Sequence, residues 1–193
     1  MRKKITERPS VEVLEAELQR VRYRNRYQSV LRSTLYTLIT VAAVAVLVAT
    51  LWLPVLQIYG SSMTPTLVNG QIIFSTKTKD METGDIVAFY YNNKILVKRV
   101  IANAGDWVDM DADGTVYVNS VELQEPYLEA KSFGDADIEL PYQVPDGKYF
   151  VMGDHRETSV DSRHASVGCI GPDQIVGKIL FRVWPLEDFG KVE

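Results

Sequence analysis

DIVAFYYNNKILVKRVIA, residues 85–102, decides what kind of fold this chain has. Two runs rich in Val, Ile, Phe and Tyr, 85–91 and 94–102, flank Asn92-Asn93, a turn pair. That reads as two strands of a hairpin. The same pattern recurs outward. QIIFST (71–76), TVYVN (115–119), KYFVM (148–152) and IVGKILFRVW (175–184) are strand-like, with turns at Val68-Asn69-Gly70, Thr83-Gly84-Asp85, Ala112-Asp113-Gly114 and Pro145-Asp146-Gly147. Little helical periodicity survives here, so residues 57–193 are predicted to form a mainly β domain. Residues 120–147, acidic and holding Pro126, Pro141 and Pro145, read as a surface excursion between two better-patterned halves.

Upstream the pattern changes. No charged residue occurs from Ser33 to Thr76, and LYTLITVAAVAVLVATLWLP (35–54) has about the 20 residues a helix needs to cross hydrocarbon. Tyr36 and Trp52 suit the two interfaces, and Pro54 suits the helix exit. A buried core helix would keep a polar face over that length. A cleaved signal peptide fits badly, because the leader and the apolar run are both too long and Ala43-Val44-Ala45 lies inside the run. Residues 33–56 are therefore predicted to be an uncleaved transmembrane anchor.

Residues 1–32 hold Arg2, Lys3, Lys4, Arg8, Arg20, Arg22, Arg24, Arg26 and Arg32 against Glu7, Glu12, Glu15 and Glu17. A basic excess before the span predicts a cytoplasmic N-terminus and an external domain from residue 57. Within this segment 10–32 reads as a helix, with Ser10 as N-cap, acids early and arginines late. Val11, Leu14, Leu18 and Val21 keep heptad spacing before it lapses at Asn25 and Gln28. A solvated helix running into the span and a self-associating helix are both compatible with that.

The net charge of -4 over 193 residues argues against nucleic acid as a partner. Cys169 is the single cysteine, so no internal disulfide or cysteine-based zinc site is expected. His155 and His164 make a poor metal cluster. No cofactor and no metal are expected.

Strand alternation puts Leu96, Lys98 and Val100 on one side of KILVKRVIA and Val97, Arg99 and Ile101 on the other. One cation must lie on the inward face. A hairpin lysine is usually solvated; a buried one loses its charge more easily and becomes a general base near pH 7. GSSMTPTLVNG (60–70) offers its partner, because a serine hydroxyl needs a base within hydrogen-bond reach; the usual base is histidine, here His155 or His164, and Ser-Lys variants of the same logic exist. Taken alone, that stretch reads as a plain turn. GDHRETSVDSRHASVGCIGP (153–172) follows an apolar strand, and its Asp154, Arg156, Asp161 and Arg163 alternate in sign. It reads either as a polar loop or as a rigid shell in which Ser159 orients a neutral lysine.

Taken together, SMTPTL (62–67), GDIVAF (84–89), KRVIANAGD (98–106) and GDHRETSVDSR (153–163), in that order behind an anchor, resemble the bacterial type I signal peptidases, in their short Gram-positive form. The resemblance implies a signal-peptidase-like β catalytic domain. It implies Ser62 as nucleophile, Lys98 as general base, Ser159 orienting Lys98, and Asp161 and Arg163 supporting the site. Met63, Leu67 and Val97 fall at positions that line a shallow pocket for small side chains. The implied activity is cleavage of secretory preproteins after an Ala-x-Ala-like sequence at the outer face of the cell membrane. Gly60 replaces the hydroxyl residue that helps form the oxyanion hole in Gram-negative members, Ala104 stands where many members have Pro, and His155 where many have Asn. His155 is expected to be structural.

Two rivals remain at this stage. A soluble self-cleaving repressor shares this Ser-Lys chemistry, but the span and the acidic balance count against it. A catalytically dead anchored β domain is disfavoured by the presence of Ser62, Lys98, Ser159 and Asp161.

Overall fold

The structure, a computed structural model, describes residues 10–52 and 54–192, and the side chains of these except for 49–52. The basic positions Arg2, Lys3, Lys4 and Arg8 and the Trp52 side chain therefore lie outside the described residues.

One helix, α1 (Val11–Trp52), joins the two segments that the sequence separates at residue 32. Ser10 stands just before it, its carbonyl accepting from Leu14 N–H at 3.2 Å. The most apolar part has a mean hydropathy of 1.8, and none of its side chains is buried by protein. Leu35, Ile39, Val46 and Leu47 are each more than half exposed. Apolar side chains left uncovered along a whole helix suit lipid, which makes α1 a fitting membrane anchor. The helical part ends earlier than the predicted 33–56. Val55–Gln57 is strand β1, because Pro54 cannot continue a helix and the chain after it is free to pair with a sheet.

The remaining unit is mainly β, as predicted. After β1 come β2 (Ile72–Thr76), β3 (Ile86–Tyr91), β4 (Lys94–Ala102), β5 (Trp107–Met110), β6 (Val116–Val118), β7 (Val121–Glu122), β8 (Tyr142–Gln143), β9 (Phe150–Met152), β10 (Ile175–Trp184) and β11 (Gly190–Lys191). The larger sheet runs β1-β2-β10-β3-β4-β9, with β11 beside β10. The smaller runs β7-β6-β5-β8. The hairpin of 85–102 forms in the register Ile86↔Arg99 to Tyr91↔Lys94.

Both faces of the large sheet are covered. Ile86 and Ala88 pack with Met63, Leu67, Ile73 and Ile179 on one side. Val87 and Phe89 pack with Val100, Val151 and Ile170 on the other. Two-sided burial explains why IVAF is continuously apolar rather than alternating. It also means that Lys98 and Arg99, on opposite faces of β4, are both buried.

Residues 120–147 are more than a surface excursion. They supply β7 and β8 to the small sheet, and Val144 is buried with Ile101, Val108 and Phe150, against which Ile138, Leu140 and Tyr142 pack. Two-residue strands separated by proline-bearing loops leave no periodicity to read.

Candidate active site

The loop that carries Ser61 and Ser62 is the turn of the β1–β2 hairpin. Its base is closed by Ile58 N–H to Gln71 O and Gly70 N–H to Ile58 O, each 2.8 Å. Within it the Ser61 carbonyl accepts from the Thr64 N–H at 3.1 Å and from the Thr64 hydroxyl at 2.8 Å. Leu67 N–H returns to Met63 O at 2.8 Å, curling the loop into one helical turn. Met63 and Leu67 bury themselves beneath it. Ser61 is left exposed, and Ser62 half-buried and facing inward. The adjacent serines thus have different surroundings.

Lys98 comes from β4, held by β3 on one side, with β9 beginning its pairing at Arg99 on the other. Its side chain is 2% exposed, and Nζ is hydrogen-bonded to Ser62 Oγ at 2.6 Å. Burial pushes the amine down from 10.5 to about 8; Asp161 and Asp154 oppose the shift and Arg163 adds to it. The dry alternative for this lysine is the one the fold realises.

The third piece follows β9. Gly153 N–H donates to Asp161 Oδ2 at 3.0 Å, and the Arg163 fork grips Asp161 through Nε and Nη2, both at 2.9 Å. Burial alone would push the Asp161 carboxyl up. Arg163 and the Gly153 N–H outweigh it and hold the carboxyl below its usual range. Arg163 also donates to the carbonyls of Phe133 (2.7 Å) and Arg156 (2.8 Å), so the shell is rigid. His155 touches the Ser62 loop through its backbone: its N–H donates to Ser62 O at 3.1 Å, while its ring pairs with Thr158.

Ser159 is brought to the site and buried, but its Oγ has no hydrogen-bond partner among the described residues. It exerts a minor pull on Asp161 from outside good hydrogen-bond geometry. The hydrogen bond expected from Ser159 to Lys98 is not formed; the amine is turned to Ser62 instead.

A groove of about 730 Å³ opens on Ser62. One wall is Leu56–Gly60, the other Asn93–Val97, and Met63 completes it. Met63 and Val97 both line it. Leu67 does not line the groove, being fully buried under Met63 in the core, where it supports the floor.

Several residues escaped the sequence reading. Arg99 grips Asp154 through Nε (3.0 Å) and Nη2 (2.8 Å), and Asp154 also accepts from the Thr66 hydroxyl at 2.5 Å. That pair ties β4 to the Ser62 loop. Gly153 matters for lack of a side chain: a Cβ there would meet Ser159 Oγ at 2.2 Å and Ser62 O at 2.4 Å. The only available signal was a Gly-Asp step directly after an apolar strand.

The family profile described as signal peptidase, peptidase S26, matches residues 31–184, which hold every one of these groups. The chain belongs to the signal peptidase family. The chain is 40% identical over 153 residues to signal peptidase IB of Staphylococcus aureus, covering 68% of this chain and 78% of that one. It is 41% identical over 145 residues to signal peptidase I of Bacillus amyloliquefaciens, covering 67% and 72%. A crystal structure of a signal peptidase I from Enterococcus faecalis overlays with a TM-score of 0.44 at 30% identity, over 51% of this chain and 96% of that one. Membership makes the chain a serine peptidase, a hydrolase of the Gram-positive-like type I group, whose activity is removal of signal peptides from preproteins. The repressor and the dead binding domain are both set aside.

Proposed function

We propose that this protein is a membrane-anchored endopeptidase that cuts secretory preproteins after a small-x-small site, with Ser62 as nucleophile and Lys98 as general base. One observation carries the reading: a buried amine with its affinity for protons lowered by desolvation, 2.6 Å from a serine hydroxyl at the end of a groove.

The groove suggests how substrate is held. From Lys94 to Lys98 the edge of β4 that faces away from β3 carries no partner strand among the described residues, because β9 pairs only from Arg99 onward. An extended chain laid beside that edge completes its backbone hydrogen bonds and passes Ser62. Met63 and Val97 then leave room for small side chains alone, since a larger one clashes with the buried floor.

In the reaction, neutral Lys98 takes the Ser62 proton as Oγ attacks the scissile carbonyl. The Ser62 N–H steadies the oxyanion. Lys98, now an ammonium, gives its proton to the leaving nitrogen. It then activates a water that hydrolyses the acyl-enzyme and frees Ser62. Asp161 and Arg163 keep the shell in place, and Ser159 closes the lysine side against water.

The basic excess of residues 1–32 supports a topology with that segment in the cytoplasm, α1 beyond residue 32 in the bilayer, and residues 57–193 at the outer face of the cell membrane. Cleavage of a preprotein in detergent by the full-length enzyme tests the chemistry. Ser62→Ala and Lys98→Ala should both remove turnover while the unfolding transition persists. Wild-type turnover by Lys98→Ala would overturn the mechanism. Digestion of the catalytic domain by protease added outside intact protoplasts tests the orientation.

A further inference from the structure

Two side chains of the 120–147 segment reach the same corner of the site. Glu125 is on a loop, yet its carboxylate is fully buried and paired with an equally buried Arg156. Arg156 Nη1 donates to Oε2 at 3.1 Å, and Nη2 to Oε1. Tyr127, two residues on, donates its hydroxyl to Glu125 Oε1 at 2.9 Å, and its ring lies 3.8 Å from Arg99 Cζ. A charged fork whose edge is filled by Asp154 and the Gly84 carbonyl is thus covered on its face by an aromatic ring.

Both arginines act on the backbone that touches the nucleophile. Arg156 Nε donates to Gly153 O at 3.2 Å. Arg99 grips Asp154, the next residue. Gly153 and its neighbours press on Ser62 O, one through close approach and His155 through its N–H. The path from Glu125 to Ser62 is three contacts long, through Arg156 and Gly153.

We propose that Glu125 and Tyr127 are positioning residues: they clasp Arg156 and Arg99 so that the Gly153–His155 backbone holds Ser62 within reach of Lys98. This rests on the Ser62–Lys98 reading above. The clasp also dictates which kinetic constants respond. Neither residue lines the groove, so substrate affinity is untouched. The groups that act on Lys98 electrostatically, Asp161, Arg163 and Asp154, remain in place when the clasp is cut. Loosening the corner admits water to the amine, which raises its affinity for protons.

The test uses full-length enzyme in detergent and a preprotein with an Ala-x-Ala site, with rates expressed per folded molecule from the amplitude of the unfolding transition. Tyr127→Leu removes the ring without stranding a charge, and Glu125→Gln keeps the shape without the charge. Each should lower kcat about tenfold or more, leave KM within about twofold, and move the acid limb of the kcat/KM profile to higher pH. Tyr127→Phe keeps the ring over Arg99 and should restore kcat to within about threefold of wild type. Wild-type kcat and an unmoved pH limb in both Tyr127→Leu and Glu125→Gln would reduce the clasp to a stabilising contact and overturn the proposal. A Phe variant as impaired as the Leu variant would also overturn it. Lys98→Ala run in parallel separates the two failures: if it retains turnover, the dyad itself is wrong.

Discussion

Gly153 Cα packs directly against the Ser62 carbonyl oxygen, with room for a hydrogen and not for a methyl group; a Cβ would stand 2.4 Å from that oxygen. The opposing atom is backbone, held by the closed base of the β1–β2 loop, so it cannot swing away as a flexible side chain would. Gly153→Ala must move the nucleophile loop or the 153–163 loop, at a cost of about 1–3 kcal/mol for overpacking. A displacement near 1 Å at a reacting group costs about a hundredfold in rate. Turnover should fall by at least that factor with the protein still folded, as preprotein cleavage and an unfolding curve would show together.

In the proposed mechanism the Lys98 amine works when neutral, and burial lowers it to about 8. Activity is therefore lost as pH falls through that value and is complete above it. At pH 7 about one tenth of the enzyme carries the neutral amine. The kcat/KM profile should climb about tenfold from pH 6 to 7 and level above pH 8. An acid limb above pH 10, where an ordinary lysine titrates, would mean that the amine works in water.

Stability should rise with pH as well, but over a higher window. The folded state binds a proton at Lys98 less tightly than the unfolded chain, so burying the ammonium costs about 3 kcal/mol at pH 7. That penalty is fully present below pH 8 and is relieved as pH rises toward 10.5. Lys98→Met removes it, and should yield an inactive enzyme stabilised by about 1–3 kcal/mol at neutral pH. The advantage should shrink between pH 8 and 10, read as a converging pair of denaturation midpoints.

Arg99 and Asp154 are buried, 3% and 2% exposed, and joined by two hydrogen bonds. Asp154→Asn leaves the guanidinium uncompensated in a dry site, a loss of about 3–5 kcal/mol. We expect a sharply lower unfolding midpoint and reduced yield of folded enzyme. Thr66→Val, which removes one hydroxyl from the same carboxylate, should cost about 1–2 kcal/mol. Equal midpoints for wild type and Asp154→Asn would show the pair to be energetically idle.

Much of this molecule is written in local patterns. An uncharged run of the right length needs no partner to be read as a span, and it leads directly into the helix that carries it. β-branched and aromatic runs between Asn and Gly turns located β3, β4 and β10 to within a residue, because strand preference and turn chemistry act over a few positions. Ser62 and Lys98 were legible as a chemical pair by their resemblance to an ordered set of motifs. The residues that make the pair work were not. Arg99 and Asp154 lie 55 positions apart, and Glu125 and Arg156 lie 31 apart, in segments with no shared periodicity. Leu67 looked like a pocket residue until the loop curled it inward, and Ser159 looked like a lysine partner until the amine turned to Ser62. Dryness, close approach and the meeting of distant charges are properties of a surface that exists only once both sheets have closed. That is why sequence alone could point to Ser62 and Lys98, while tertiary structure decided how closely their side chains meet and what lowers the affinity of that lysine for protons.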